Sequence, residues 1–212
     1  MNDNRRILKM EKNFKPKELT LMGLLTAVLL VMSFTPLGYL TIGPLAITFN
    51  MIPVAIGAIA LGPKGGAVLG AVFGITSFLQ CIGIGGSSPM GVILFGINPF
   101  LAFLQRFLPR FLMGLLTAYI YKFAKKITVS AASFIAGFFA AFLNTALFMS
   151  LLVLLFGNTE YMTELMNGKN VLVFICTFVG VNAVFEMLAS TVLTGIIAKA
   201  LEKAKLIKRS AN

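Results

Sequence analysis

Arg106 and Arg110 stand four positions apart in a largely apolar stretch, and so do Asn182 and Glu186. That spacing puts each pair on one face of a helix. A guanidinium fork fits a carboxylate or a phosphate. Glu186 is the one carboxylate deep inside a long apolar run, and Asn50, Gln80, Asn98, Gln105 and Asn144 are further polar side chains in apolar surroundings. In lipid such groups are costly and mark function. Asn50, Gln80, Asn98, Arg106, Arg110, Asn144, Asn182 and Glu186 are therefore candidate substrate-binding residues. Plainer readings stand beside this one. The arginines could snorkel to headgroups, and Glu186 could make a structural hydrogen bond or pair with Arg110.

The composition supplies the lipid. Of 212 residues 58% are apolar and 12% charged, and the mean hydropathy is +0.93. A soluble domain carries about 25% charged residues, so the chain reads as an all-α integral membrane protein. Large folds of ten or twelve spans are excluded, because each span needs about 20 apolar residues. The net charge of +11 comes from residues at the ends of apolar runs. That is the membrane pattern, and no nucleic-acid partner is expected.

Catalytic chemistry finds little to work with. The chain has no His, one aspartate (Asp3), and two cysteines, Cys81 and Cys176, both within apolar runs. No catalytic residue, metal or cofactor is expected. Gly57 to Lys64 superficially matches a phosphate-binding loop, but Pro63 stands where that loop needs Lys. Any energy from nucleotide hydrolysis must come from a partner.

Six spans are expected: Leu19 to Phe34, Phe49 to Leu61, Ala67 to Ile82, Gln105 to Tyr121, Ser130 to Phe156 and Asn170 to Ala198. The breaks are Thr35-Pro36-Leu37-Gly38, the turn Gly62-Pro63-Lys64-Gly65-Gly66, and the loop Gly83 to Pro89. Residues 90–104 read as a partly helical loop or a helix start. With six spans, fifteen basic residues fall on the side of the termini and three on the other. The positive-inside rule then puts both termini in the cytoplasm. The organisation is a basic leader 1–18, a membrane domain 19–203 and a basic tail 204–212.

Small residues recur at four-residue intervals: Gly66, Gly70 and Gly74; Ala132, Ala136 and Ala140; Gly23 and Ala27. Such stripes let helix backbones approach closely in lipid. The first two read as internal packing. Gly23 and Ala27, on an otherwise bulky apolar helix, suit either internal packing or docking of another protein's helix.

The order of these features resembles the S components of energy-coupling factor (ECF) vitamin transporters. The resemblance is carried by Gly23 and Ala27 behind a basic leader, Phe49-Asn50-Met51-Ile52-Pro53-Val54, and Leu61-Gly62-Pro63-Lys64-Gly65-Gly66-Ala67. Then follow Gly70 to Gly74, Leu108-Pro109-Arg110, Gly114-Leu115, Tyr121-Lys122, Asn144-Thr145, and Asn182-Ala183 with Glu186. It covers about Leu19 to Lys203. The resemblance implies a six-helix subunit that binds a vitamin-like small molecule with high affinity. The site would lie among spans four to six and the loops after spans one, three and five. It implies association with a transmembrane T component and two cytoplasmic ATPases, with Gly23 and Ala27 facing the T component. Gly23 is a departure, since alanine is common there in the family.

Two arginines favour an anionic vitamin. Few aromatic side chains are evident near the site beyond Phe100, Phe103, Phe107, Tyr119 and Phe148, which argues against a large flat ring and towards pantothenate. The rivals are a stand-alone proton-coupled secondary transporter and a structural subunit of a membrane complex. The expected location is a bacterial plasma membrane, with lipid as the surrounding partner.

Overall fold

The computed structural model describes residues 16–42, 45–86, 88–204 and 206–207. Most of the leader (Arg5, Arg6, Lys9, Lys12 and Lys15), Ser87, and Lys205, Lys208 and Arg209 of the tail lie outside the described residues.

Helix α1 (Pro16–Phe34) buries Met22, Leu25, Leu29 and Ser33. That period of three to four turns one face inward and leaves the rest to lipid or a partner. It ends at Thr35, which is extended, as a residue before proline must be. A short 3-10 turn over Pro36–Gly38 then leads into a two-stranded hairpin. Its strands are β1 (Tyr39–Ile42) and β2 (Leu45–Thr48), antiparallel, with Tyr39 opposite Thr48 and Ile42 opposite Leu45. This hairpin is the one sheet among the described residues. Gly38 is confined there, because a Cβ would run into the Met32 carbonyl and lie 2.6 Å from Asn50 Oδ1.

Helix α2 (Met51–Leu79) consists of two helical arms joined at Gly62, whose φ of 70° and ψ of −161° suit glycine alone. Pro63 opens the second arm at a position where a missing N–H costs nothing. The arms fold back on each other. A Cβ on Gly57 would strike the Leu69 side chain, and one on Gly66 would lie 3.0 Å from Ala58 Cβ. In a straight helix Gly57 and Leu69 would be about 18 Å apart. The expected second and third spans are therefore the two arms of this bent helix. The first arm, Met51 to Leu61, is roughly 16 Å long, about half a hydrocarbon core.

Residues 90–104 are more regular than expected. Helix α3 (Pro89–Ile97) and helix α4 (Pro99–Ile127) follow almost without a break. Each opens with a polar cap before proline: Ser88 Oγ accepts from Gly91 N, and Asn98 accepts from Leu101 N. Helix α4 thus starts six residues before the expected fourth span. Helices α5 (Ala132–Phe156), α6 (Glu160–Met166) and α7 (Val171–Lys203) complete the chain, with the short α6 inside the expected polar loop. Among the described residues five helices are long and apolar enough to cross a membrane, α2 counted once.

Among the described residues three apolar clusters hold the bundle. One joins α1, both arms of α2, Met113 of α4 and Ala140 and Ala141 of α5. One at the α3–α6 end contains Leu94, Leu152, Phe156 and Met162. One at the opposite end packs Ile59, Tyr121, Ala132, Ala136 and Ala198.

The glycine stripe of α2 fixes where α4 lies. A Cβ on Gly66 would strike the Gly114 carbonyl, one on Gly70 the Arg110 carbonyl, and one on Gly74 would sit 2.9 Å from Phe107 Cα. The two backbones touch along three turns. Helices α5 and α7 meet similarly: Gly137 abuts Ser190, whose hydroxyl donates to the Gly137 carbonyl at 2.7 Å.

Candidate functional site

The glycine seam has a consequence for chemistry. With Gly70 against the Arg110 backbone, the buried face of α4 that carries Arg106 and Arg110 is held in place beside α5 and α7. There the two arginines line a cavity of about 900 Å³, towards the upper end of ordinary ligand pockets. The cavity lies at the bundle end formed by the C-terminus of α1, the base of the hairpin, the loop before α3 and the N-terminal half of α7.

Pro109 sets the Arg110 side chain. It has no N–H, so the Gln105 carbonyl four residues earlier loses its helical partner. The guanidinium of Arg110 occupies that vacancy, with Nη1 donating to Gln105 O at 3.4 Å. Its other face lies over two rings, 4.4 Å from the Phe148 centroid and 5.5 Å from that of Phe73. Arg106 also lies over Phe148, at 5.3 Å, and its Nη2 donates to Ser88 Oγ at 3.0 Å. Aromatic faces offset part of the cost of burying a cation. They do not satisfy its N–H groups: Nε of both arginines is buried without a hydrogen-bond partner.

Glu186 faces the same cavity, but its hydrogen bonds come from elsewhere. Oε1 accepts from the Thr48 backbone N–H at 2.8 Å, and Oε2 accepts from the Thr145 hydroxyl at 3.4 Å. Gln80 is also held by protein: its Nε2 donates to Ser33 O at 2.7 Å, and its Oε1 accepts from the Tyr39 hydroxyl at 3.1 Å. Asn144 lines the cavity with Oδ1 unpartnered, and Asn182 lines it one helical turn from Glu186.

Six of the eight candidate residues thus meet in one cavity: Gln80, Arg106, Arg110, Asn144, Asn182 and Glu186. Asn98 caps α4, and Asn50 is fully buried beneath Gly38; neither lines the cavity. Among the aromatics named from sequence only Phe148 lines it, joined by Phe34, Tyr39 and Phe73. Phe100 and Tyr119 are exposed on α4 instead. Sequence reasoning also missed Ser88, Thr48 and Thr145. Ser88 alone carried a local signal, the hydroxyl before Pro89 that caps a helix. The other two reach the cavity through tertiary contacts.

Gly23 and Ala27 point away from all of this. Both are exposed on α1, and a Cβ on Gly23 would meet nothing within 4 Å. Cys81 is buried and Cys176 exposed, both free.

Among the described residues no cluster of His, Cys, Asp or Glu could hold a metal ion. What the cavity offers is two cations with unused donors, amide groups, one carboxylate and aromatic walls. No individual curated protein matches the sequence. A family model described as the substrate-specific component of ECF transporters matches residues 17–198.

Proposed function

Since the chain belongs to the substrate-specific components of ECF transporters, and is therefore a membrane-embedded, substrate-binding transport subunit and not an enzyme, we propose that its substrate is a small anionic, water-soluble vitamin or precursor, pantothenate first among them. The observation that carries this reading is the pair of buried arginines, each with an unpartnered Nε, in a cavity of about 900 Å³. Guanidinium groups stay charged at neutral pH. Two of them in a low-dielectric site gain most from a ligand that brings its own negative charge. Arg110 is the main anchor, because its one hydrogen bond, to the Gln105 carbonyl, is long at 3.4 Å, whereas Arg106 is held by Ser88 at 3.0 Å. Asn144 and Asn182 line the same cavity and would meet the hydroxyl and amide groups of pantothenate.

The aromatic lining supports a second class, an anionic vitamin with a flat ring, such as a folate. Phe73 and Phe148 are already covered by guanidinium groups, which leaves Phe34 and Tyr39 as stacking partners.

The orientation proposed is both termini in the cytoplasm of a bacterial plasma membrane, with 19–203 as the membrane domain and 1–18 and 204–212 as its flanks. Lys17, Lys64, Lys125, Lys126 and Lys203 gather at the bundle end away from the cavity. By the positive-inside rule the cavity then opens outward. The family implies a T component and an ATPase module as partners. Two cytoplasmic ATPases would supply the energy, with Gly23 and Ala27 facing the T component. A stand-alone proton-coupled carrier or a purely structural subunit would need neither a tight ligand nor this module.

Native mass spectrometry of the chain purified in mild detergent tests the substrate directly. A co-purified mass matching pantothenate bears out the first reading, and one matching a folate bears out the second. A chain that stays empty against a panel of anionic vitamins sinks both.

A further inference from the structure

We infer that Glu186 and Gln80 are positioning residues that pin the base of the β1–β2 hairpin to the cavity wall, and that these pins set how fast ligand enters and leaves. The inference rests on the reading of the cavity as the ligand site. Tyr39 and Thr48 are cross-strand partners, the pair at which both strands join the body of the protein. Each is held by a different buried polar side chain. The Tyr39 hydroxyl donates to Gln80, the residue just past the end of α2, at 3.1 Å, and the Thr48 N–H donates to Glu186 on α7 at 2.8 Å. The two posts are themselves braced, Gln80 by the Ser33 carbonyl at the end of α1 and Glu186 by Thr145 on α5.

The hairpin base is thus tied to four helices through side chains that also line the cavity. Helix packing alone would not need a polar side chain at either point. A buried carboxylate is costly in a membrane, and here it accepts a backbone N–H at the hinge of the one sheet among the described residues. Glu186 acts through Thr48, and its task requires an acceptor oxygen, not a charge.

The test is hydrogen exchange of the full chain in nanodiscs, read by mass spectrometry on peptides covering 39–48. Without ligand, Glu186→Ala and Tyr39→Phe should each speed exchange there by about tenfold or more, since each removes a hydrogen bond at the hinge. Glu186→Gln keeps an oxygen for Thr48 and should stay within about threefold of the parent chain. Tyr39→Phe removes a single hydroxyl and serves where Glu186→Ala does not fold. Unchanged exchange in Glu186→Ala and Tyr39→Phe overturns the inference, and so does a Glu186→Gln variant as fast as Glu186→Ala. With pantothenate as the probe, Glu186→Ala should raise the association and dissociation rates together, which a direct ligand contact would not do. Ligand-free exchange judges the pins, whereas pantothenate binding to the parent chain judges the substrate reading, so either can fail alone.

Discussion

Two stripes of small residues look alike in the sequence and do opposite things in the structure. Gly66, Gly70 and Gly74 lie against the backbone of α4, where a Cβ at any of them would collide with or crowd Gly114, Arg110 or Phe107. Gly23 and Ala27 lie on the outer face of α1, and a Cβ on Gly23 would touch nothing. The first stripe has its partner within the chain and thereby places the arginines. The second is left open. A small-x-x-x-small pattern says that a close approach is possible; it does not say whose helix approaches. Burial of the rest of the helix decides that: α1 turns Met22, Leu25, Leu29 and Ser33 inward, on the opposite face from Gly23 and Ala27.

The largest expected effect is at the inward stripe. Gly70→Leu forces a branched side chain into the Arg110 carbonyl, and no monodisperse folded protein should be recovered in detergent. Gly70→Ala should fold with a loss of about 1–3 kcal/mol in a thermal-shift assay, and with weaker ligand binding because α4 is displaced. A Gly70→Leu chain that folds and binds normally would remove the seam from the account. At the outward stripe, Gly23→Leu and Ala27→Leu should leave folding and ligand affinity intact while abolishing ATPase-dependent uptake in reconstituted vesicles. If uptake survives both changes, the open face of α1 is not where the transport partner docks.

The helical, membrane-embedded class was legible because composition alone excludes a soluble surface, and the long helices followed from the apolar runs. Three features were not. The start of α4 was hidden because residues 90–104 showed no local signal that fixes a helix start, whereas Pro99 is a first-turn proline behind the Asn98 cap. The hairpin was hidden in a short mixed segment without a clean alternation. At the site, intramembrane polarity found the six residues that share the cavity, but it could not separate them from Asn98, which caps a helix, or Asn50, which is fully buried next to Gly38. Polarity reports that a side chain is costly where it lies, and only the fold says whether it faces a cavity or the protein.

Within the inward region the next effect is at the anchor itself. Arg110→Ala should weaken binding of an anionic ligand by more than tenfold, since a hydrogen bond to a charged group contributes about 1.5–3 kcal/mol. Titration calorimetry with pantothenate reads this directly, and an unchanged affinity would mean that Arg110 serves packing over Phe73 and Phe148 only.

The smallest effect sharpens how the inward region divides its labour, with the seam placing α4 and Pro109 aiming one side chain from it. Pro109→Ala restores an N–H that can bond the Gln105 carbonyl and so competes with Arg110 Nη1 for the same acceptor. The helix should become more stable, because an interior proline is replaced by the best helix former. Arg110 should lose part of its orientation, and affinity for an anionic ligand should fall by about threefold, at the low end of what one neutral hydrogen bond contributes. The two readouts move in opposite directions, higher thermal stability and weaker binding. Both falling together would show that Pro109 is needed for packing, and both unchanged would show that the Gln105 contact does not orient the arginine.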